Sequence, residues 1–305
     1  MAHSLADTLL DLINNVSGLS VSTEEHGLPI IHCRNAWGES QILMQGAQLL
    51  EWSPHGQPPV VWLSPHARWR PGKSPRGGVP ICWPWFGPHE SREDYPAHGI
   101  ARAASWELTE ASLLEDESHQ LLFRWVPDST HSGYWPFNTP LEIRYTLGDA
   151  LEIELISRND STGTLNLSEA LHTYFGVGDV REVTIRGLEG GEYLDKADNG
   201  RRQYQSGPIS ITGETDRVYL STQSDCLIED PLLNRIIRIE KRGSQSTVVW
   251  NPWEEKSKRL GDLGETGYLN MVCVESGNAA DDRITLKPGE EQRLWVRYSV
   301  SALVE

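Results

Sequence analysis

The sequence predicts an all-β fold, a large antiparallel sandwich or barrel with a short helix at its N-terminus. Three observations carry that prediction. Apolar residues recur with a period of two along most of the chain. One segment, 141–156, reads as a complete hairpin. After the first segment no stretch of ten or more residues keeps a 3.6-residue period, and no Pro/Gly/Ser linker is long enough to divide the chain. The 305 residues exceed the usual size of one domain, yet all-β chains of this length fold as single units. Residues 1–19 are therefore expected as a helical extension and 20–305 as a single β domain.

Taken in order, residues 1–15 lack a basic start and a small-residue cleavage site, and Asp7 and Asp11 interrupt their apolar positions. They read as an amphipathic helix and not as a signal peptide. Short strands follow at 28–34, 40–44 and 47–52, separated by Gly and polar residues. Strands at 104–109 and 120–126 flank an acidic turn around Glu115 and Glu117. In the hairpin, 141–147 and 150–156 alternate apolar residues with Glu142, Arg144, Glu152 and Glu154 across a Gly148-Asp149 turn, so one face is buried and the other wet. Further strands are expected at 183–186, 217–220, 235–241, 247–250, 268–275 and 292–300.

The segment 64–102 breaks this rhythm. It carries Arg70-Pro-Gly-Lys73, Arg76-Gly-Gly-Val-Pro80, Trp83-Pro-Trp-Phe-Gly87 and His98-Gly-Ile-Ala-Arg102. Nearly 40 residues with so little strand pattern exceed an ordinary connection, and loops of that length usually serve function. The bland alternative is a surface Ω-loop held by its own aromatic residues.

A formal charge of −16, from 43 acidic and 27 basic residues, repels polyanions, so neither nucleic acid nor an anionic membrane surface is an expected partner. No apolar run reaches the roughly 18 residues of a membrane-spanning helix. Cys33, Cys82, Cys226 and Cys273 are scattered, with no CxxC pair and no metal-ligand spacing. They read as buried thiols in a reducing compartment, the cytoplasm. A monomer is expected.

Few residues carry possible chemistry. His172 sits in Glu169-Ala-Leu-His-Thr-Tyr-Phe-Gly176, with Glu169, Thr173 and Tyr174 as possible partners. A lone histidine among apolar residues is more often a satisfied core side chain than a catalyst. Glu275 ends the run Met271-Val-Cys-Val274, and alternation turns it to the face of Met271 and Cys273. An inward carboxylate costs free energy unless it is paired or used; the alternative is a strand end bending into solvent. A carboxylate and an imidazole together can remove one proton and deliver another near neutral pH. Asp216 can accept hydrogen bonds from sugar hydroxyls. Among the 12 tryptophans, Trp83, Trp85, Trp250 and Trp253 are candidates to stack on a sugar, though most tryptophans belong to cores. Lys73, Arg76 and Arg102 form the one concentrated basic cluster suited to an anion, with Gly77 and Gly78 freeing backbone N–H groups beside it.

Arg76-Gly-Gly-Val-Pro80 with Trp83-Pro-Trp-Phe-Gly87, His98-Gly-Ile-Ala-Arg102, Leu171-His-Thr-Tyr-Phe175, Thr215-Asp-Arg-Val-Tyr219, Val249-Trp-Asn-Pro-Trp253 and Val274-Glu-Ser-Gly277 occur in that order. Together they resemble the hexose-6-phosphate mutarotases (glucose-6-phosphate 1-epimerases) of the aldose 1-epimerase superfamily, over approximately residues 20–302. The resemblance implies a galactose mutarotase-like β-supersandwich and interconversion of the α and β anomers of a hexose 6-phosphate. It implies a catalytic pair at His172 and Glu275 and substrate contacts at Arg76, Arg102, Asp216 and His98, with Lys73 beside them. Such a reaction breaks no carbon–carbon bond and changes no oxidation state, so neither metal nor organic cofactor is expected. The chain departs from the family at Ala97, where a Gln often contacts substrate. Two rival readings are a sugar-binding module without catalysis and, with a suitably spaced carboxyl pair, a glycoside hydrolase.

Overall fold

The computed structural model describes residues 5–24 and 26–303, so residues 1–4 of the expected helix lie outside the described residues. The helix Leu5–Asn14 seats Ile13 in the main core. Beyond it the fold is a sandwich. A nine-stranded sheet runs from Ile209–Ser210 at one edge, through Arg235–Arg242 and Glu291–Ala302, to Glu107–Leu113 at the other. Opposite stands an eight-stranded sheet whose centre is Thr215–Tyr219, Ser246–Asn251 and Met271–Asn278. The pairings that build both are antiparallel. A four-stranded sheet from Leu19–Thr23 to Gln48–Pro54 adjoins the second through single bridges, Trp52 to Val61 and Val61 to Phe175. No helix among the described residues is long and apolar enough to cross a membrane.

One continuous core holds the layers together. Ile143, Ile153 and Val296 from the nine-stranded sheet meet Val249, Val272 and Val274 from the eight-stranded one. Burying each such side chain fully is worth about 1.5–3 kcal/mol, which is why period-two apolar positions dictate this layering. All four cysteines are buried free thiols.

The expected hairpin forms as Leu141–Leu147 and Leu151–Arg158, but Leu147 pairs with Leu151. The turn is therefore three residues, Gly148 to Ala150, one longer than the Gly-Asp pair suggested. The expected strand 268–275 begins at Met271, because Gly267–Asn270 is a 3₁₀ turn, and it continues to Asn278. The expected strand 104–109 lies later, at Glu107–Leu113. Several elements had no clear signal. Cys226–Asp230 is a strand whose consecutive apolar residues mask its alternation. The helix Trp253–Leu260 has eight residues, too few to establish a 3.6 period by eye.

The segment 64–102 folds onto the second sheet. It adds the edge strand Ile81–Cys82 and ends in a 3₁₀ turn, Ala101–Ala103. Three of its glycines, Gly77, Gly78 and Gly99, are there for close packing. A side chain on Gly78 (φ +68°) would lie 2.2 Å from the Leu49 carbonyl oxygen, and the Gly78 N–H donates to Trp62 O. That N–H is thus spent inside the fold and does not face an anion.

Candidate active site

The strand Met271–Asn278 is buried along its whole length, because the core covers one face and a polar cleft floor occupies the other. Val272 and Val274 join the main core; Met271 and Cys273 join Tyr174 and Trp250 on the opposite face. Cross-strand partners share a face, so the register Asp216–Trp250–Cys273–Tyr174 lays four side chains in one row of that floor. Glu275, opposite Val248, sits in the next row and is 1% exposed. Its inward direction is as alternation predicted.

His172 comes from a two-residue break between the strands Glu169–Leu171 and Tyr174–Gly176. Leu171 pairs with Ser276 and Tyr174 with Cys273. The same antiparallel register therefore sets His172 opposite Glu275. His172 Nε2 lies 3.5 Å from Glu275 Oε1, a separation inherited from the sheet. The ring stacks on Tyr174 (centroids 5.0 Å apart, 12° between planes) and meets Trp250 edge-on. His172 Nδ1 and Glu275 Oε2 are buried and have no hydrogen-bond partner among the described residues.

Burial displaces both groups toward neutrality. It lowers the His172 imidazole well below its ordinary range, helped by His98, Arg102 and Arg76. It raises the Glu275 carboxyl well above its range, helped by the charge of Asp216. Both shifts favour the uncharged pair, imidazole beside carboxylic acid, across the 3.5 Å between Nε2 and Oε1.

The segment 64–102 brings the remaining groups. His98 stands 5.5 Å from His172, ring to ring, and accepts the Gly87 N–H at Nδ1. That hydrogen bond fixes the proton on Nε2 and makes His98 a donor. Burial and the neighbouring Arg102 and Arg76 push its pKa down to about 3, so it stays neutral. Arg102 donates to Ala97 O from one guanidinium nitrogen; the position where Gln was expected thus engages the cleft through its backbone. Arg76 is forked onto Asp262 and donates to Tyr174 Oη. Lys73 is exposed at the rim. Lys73, Arg76, Arg102, His131, Tyr134 and Tyr174 all line one cavity of about 470 Å³ beside the pair.

Asp216 lies across the floor, its carboxyl raised by burial and held by Lys256 at 3.7 Å. The three basic candidates thus border one cavity, which Tyr174, stacked on His172, links to the pair. Some expected partners lie elsewhere. Glu169 turns into the sandwich and accepts from Ser157 Oγ, and Thr173 hydrogen-bonds Tyr298 there. Of the tryptophans named, Trp83 is fully buried and Trp85 packs against His89 and Tyr95, while Trp250 faces the site. Sequence reading missed Phe86, edge-on to His98, and Lys256 and Asp262, which the unrecognised helix 253–260 and its C-terminal turn deliver.

Comparison with known proteins gives a consistent result. Residues 29–299 match the family model described as aldose 1-epimerase. An Escherichia coli (strain K12) protein provisionally named a glucose-6-phosphate 1-epimerase is 35% identical over 280 residues, 91% of this chain and 92% of that protein. A Cenchrus ciliaris protein with the same provisional name is 35% identical over 265 residues, 83% of this chain and 79% of that protein. A crystal structure from Salmonella typhimurium, provisionally titled a mutarotase, superposes with a TM-score of 0.89 at 31% identity, covering 98% of this chain and all of that one. A galactose mutarotase-like protein from Clostridium acetobutylicum, 12% identical with a TM-score of 0.73 over 93% of this chain and 98% of its own, shares the fold alone.

Proposed function

Because this chain belongs to the aldose 1-epimerase family, we propose that it interconverts the α and β anomers of a hexose 6-phosphate. The observation that carries this reading is the buried His172–Glu275 cross-strand pair beside a cavity lined with Lys73, Arg76 and Arg102.

Transfer of the Glu275 proton to His172 converts the neutral pair into carboxylate and imidazolium. The carboxylate then takes the proton from the anomeric hydroxyl, and C1=O forms as the C1–O5 bond breaks. His172 protonates O5. The pair is now neutral again, the state that burial favours, while the sugar is an open-chain aldehyde. Rotation about C1–C2 presents the other carbonyl face, and the same two groups close the ring in reversed roles. Each positioned proton transfer contributes about 10²–10⁴-fold. His98 Nε2–H and Asp216 complement sugar oxygens and hydroxyls from the two sides of the floor. Lys73 and Arg102 supply the local positive charge that lets a dianion approach a protein of net charge −16. Arg76, already forked on Asp262, contributes through its remaining N–H groups.

Exchange at C1, followed by NMR for glucose 6-phosphate and free glucose side by side, tests the reading. Arg102→Ala should weaken use of glucose 6-phosphate by about 1.5–3 kcal/mol per charged hydrogen bond lost, with far less effect on glucose. Equal losses on both sugars, or none, would remove the phosphate from the proposal and leave the epimerisation.

A further inference from the structure

The strand face that carries Glu275 also carries a thiol, one row away. Cys273 and Glu275 are two residues apart on one strand face, and His172 stands opposite Glu275. One donor atom from each, an imidazole nitrogen of His172, Cys273 Sγ and a Glu275 oxygen, all lie within 4.8 Å of one another, and all three residues are buried. Among the described residues no other group of three such side chains converges in this way.

We infer that His172, Cys273 and Glu275 form an inhibitory site for one thiophilic divalent cation of the zinc class, bound in place of the sugar. The geometry is close to what such an ion takes. Zn–S bonds of about 2.3 Å and Zn–N and Zn–O bonds of about 2.0–2.2 Å put tetrahedral donors roughly 3.3–3.7 Å apart. The imidazole–carboxylate separation of 3.5 Å is already there, and the thiol stands within 4.8 Å of both donors. Sulfur, imidazole and carboxylate is a donor set that suits zinc and excludes magnesium or calcium, which take oxygen.

The charge balance does not oppose exchange. Cys273 and Glu275 each release one proton to solvent, and one divalent ion replaces them, so the net charge of the floor does not change. Arg76 and Arg102 repel a bare cation but do not oppose this swap. Cys273 takes no part in the proposed proton transfers, so the site is an addition to the reaction and no step of it.

The test uses the full chain and two independent readouts. Titration with Co²⁺ should give one ion per chain and a near-ultraviolet thiolate-to-cobalt charge-transfer band. Zn²⁺ should block C1 exchange in a non-coordinating buffer, with recovery on adding EDTA. Cys273→Ala should lose the cobalt band and, measured against its own metal-free rate, need at least about 100-fold more Zn²⁺ for half-inhibition, since even outer-shell partners of a metal are worth 10–100-fold. Cys273→Ser, with circular dichroism, serves if the alanine variant folds poorly. The absence of a thiolate band from the unaltered protein overturns the site, as does Zn²⁺ inhibition undiminished by loss of Cys273. The inhibition arm rests on the proposed epimerase activity; the cobalt band does not, so the two failures are distinguishable.

Discussion

His172 and Glu275 are both driven toward their uncharged forms, and this decides how the pair titrates. The working proton count is one shared between them. Adding a proton as pH falls through the lowered imidazole range gives imidazolium beside carboxylic acid, which has no base. Removing one as pH rises through the raised carboxyl range leaves no acid. The rate of C1 exchange against pH should therefore be a bell, its acid limb below the ordinary imidazole range and its alkaline limb above the ordinary carboxylate range. Asp216 helps to hold the Glu275 proton on, so Asp216→Asn should move the alkaline limb to lower pH. His172→Ala and Glu275→Gln should each cut exchange by at least about a hundredfold with circular dichroism unchanged. Near-normal exchange in either variant would remove that residue from the chemistry. The inward turn of Glu275 was legible because alternation is local. The pairing of His172 with Glu275 came from the ordered motifs and not from local spacing: Glu169 is near in sequence but, three residues away, faces the other side of the sheet, while the antiparallel register brings Glu275 opposite His172.

At the scale of elements, the segment 64–102 is a carrier, and its backbone fixes what it carries. Gly99 sits at φ +73°, where a side chain would come within 2.0 Å of Trp83 O. Gly99→Ala should cost at least about 1–3 kcal/mol in unfolding free energy and disturb His98 and Arg102 on either side of it. A denaturation midpoint equal to that of the unaltered protein would show that the segment tolerates another path. The composition of this segment announced a functional loop. It did not announce the counterpart, the helix Trp253–Leu260, whose Lys256 reaches Asp216 and whose C-terminal turn leads to Asp262, the anchor of Arg76. Eight residues after Asn251-Pro252 carry too little periodicity to be seen, and the ion pairs join positions 186 and 40 residues apart.

For the whole molecule, two covered sheets mean that some carboxyls are buried far from any use. Glu169 lies between the layers, and burial lifts its pKa to about 8, only partly offset by Ser157. Its folded value is above its unfolded one, so its share of stability is complete below about pH 4.3 and is lost as pH rises through about 8. Glu169→Gln should flatten that alkaline decline, worth on the order of a few kcal/mol; urea midpoints measured across this range check it. An equally steep decline in the variant would assign the loss elsewhere. The class of fold and most long strands were legible, because a sandwich writes its layers as alternation. The strand order was not, since neighbours such as Ser246–Asn251 and Thr215–Tyr219 are chosen by packing over long separations. The cross-strand origin of the His172–Glu275 pair has an evolutionary consequence. On the proposed reading, chemistry is written into backbone pairing, while sugar capture is written into segments such as 64–102 and 253–262. Insertions in those loops can change which sugar enters without moving the two reacting groups apart. A single-residue slip in the sheet would abolish turnover whatever the loops recognise.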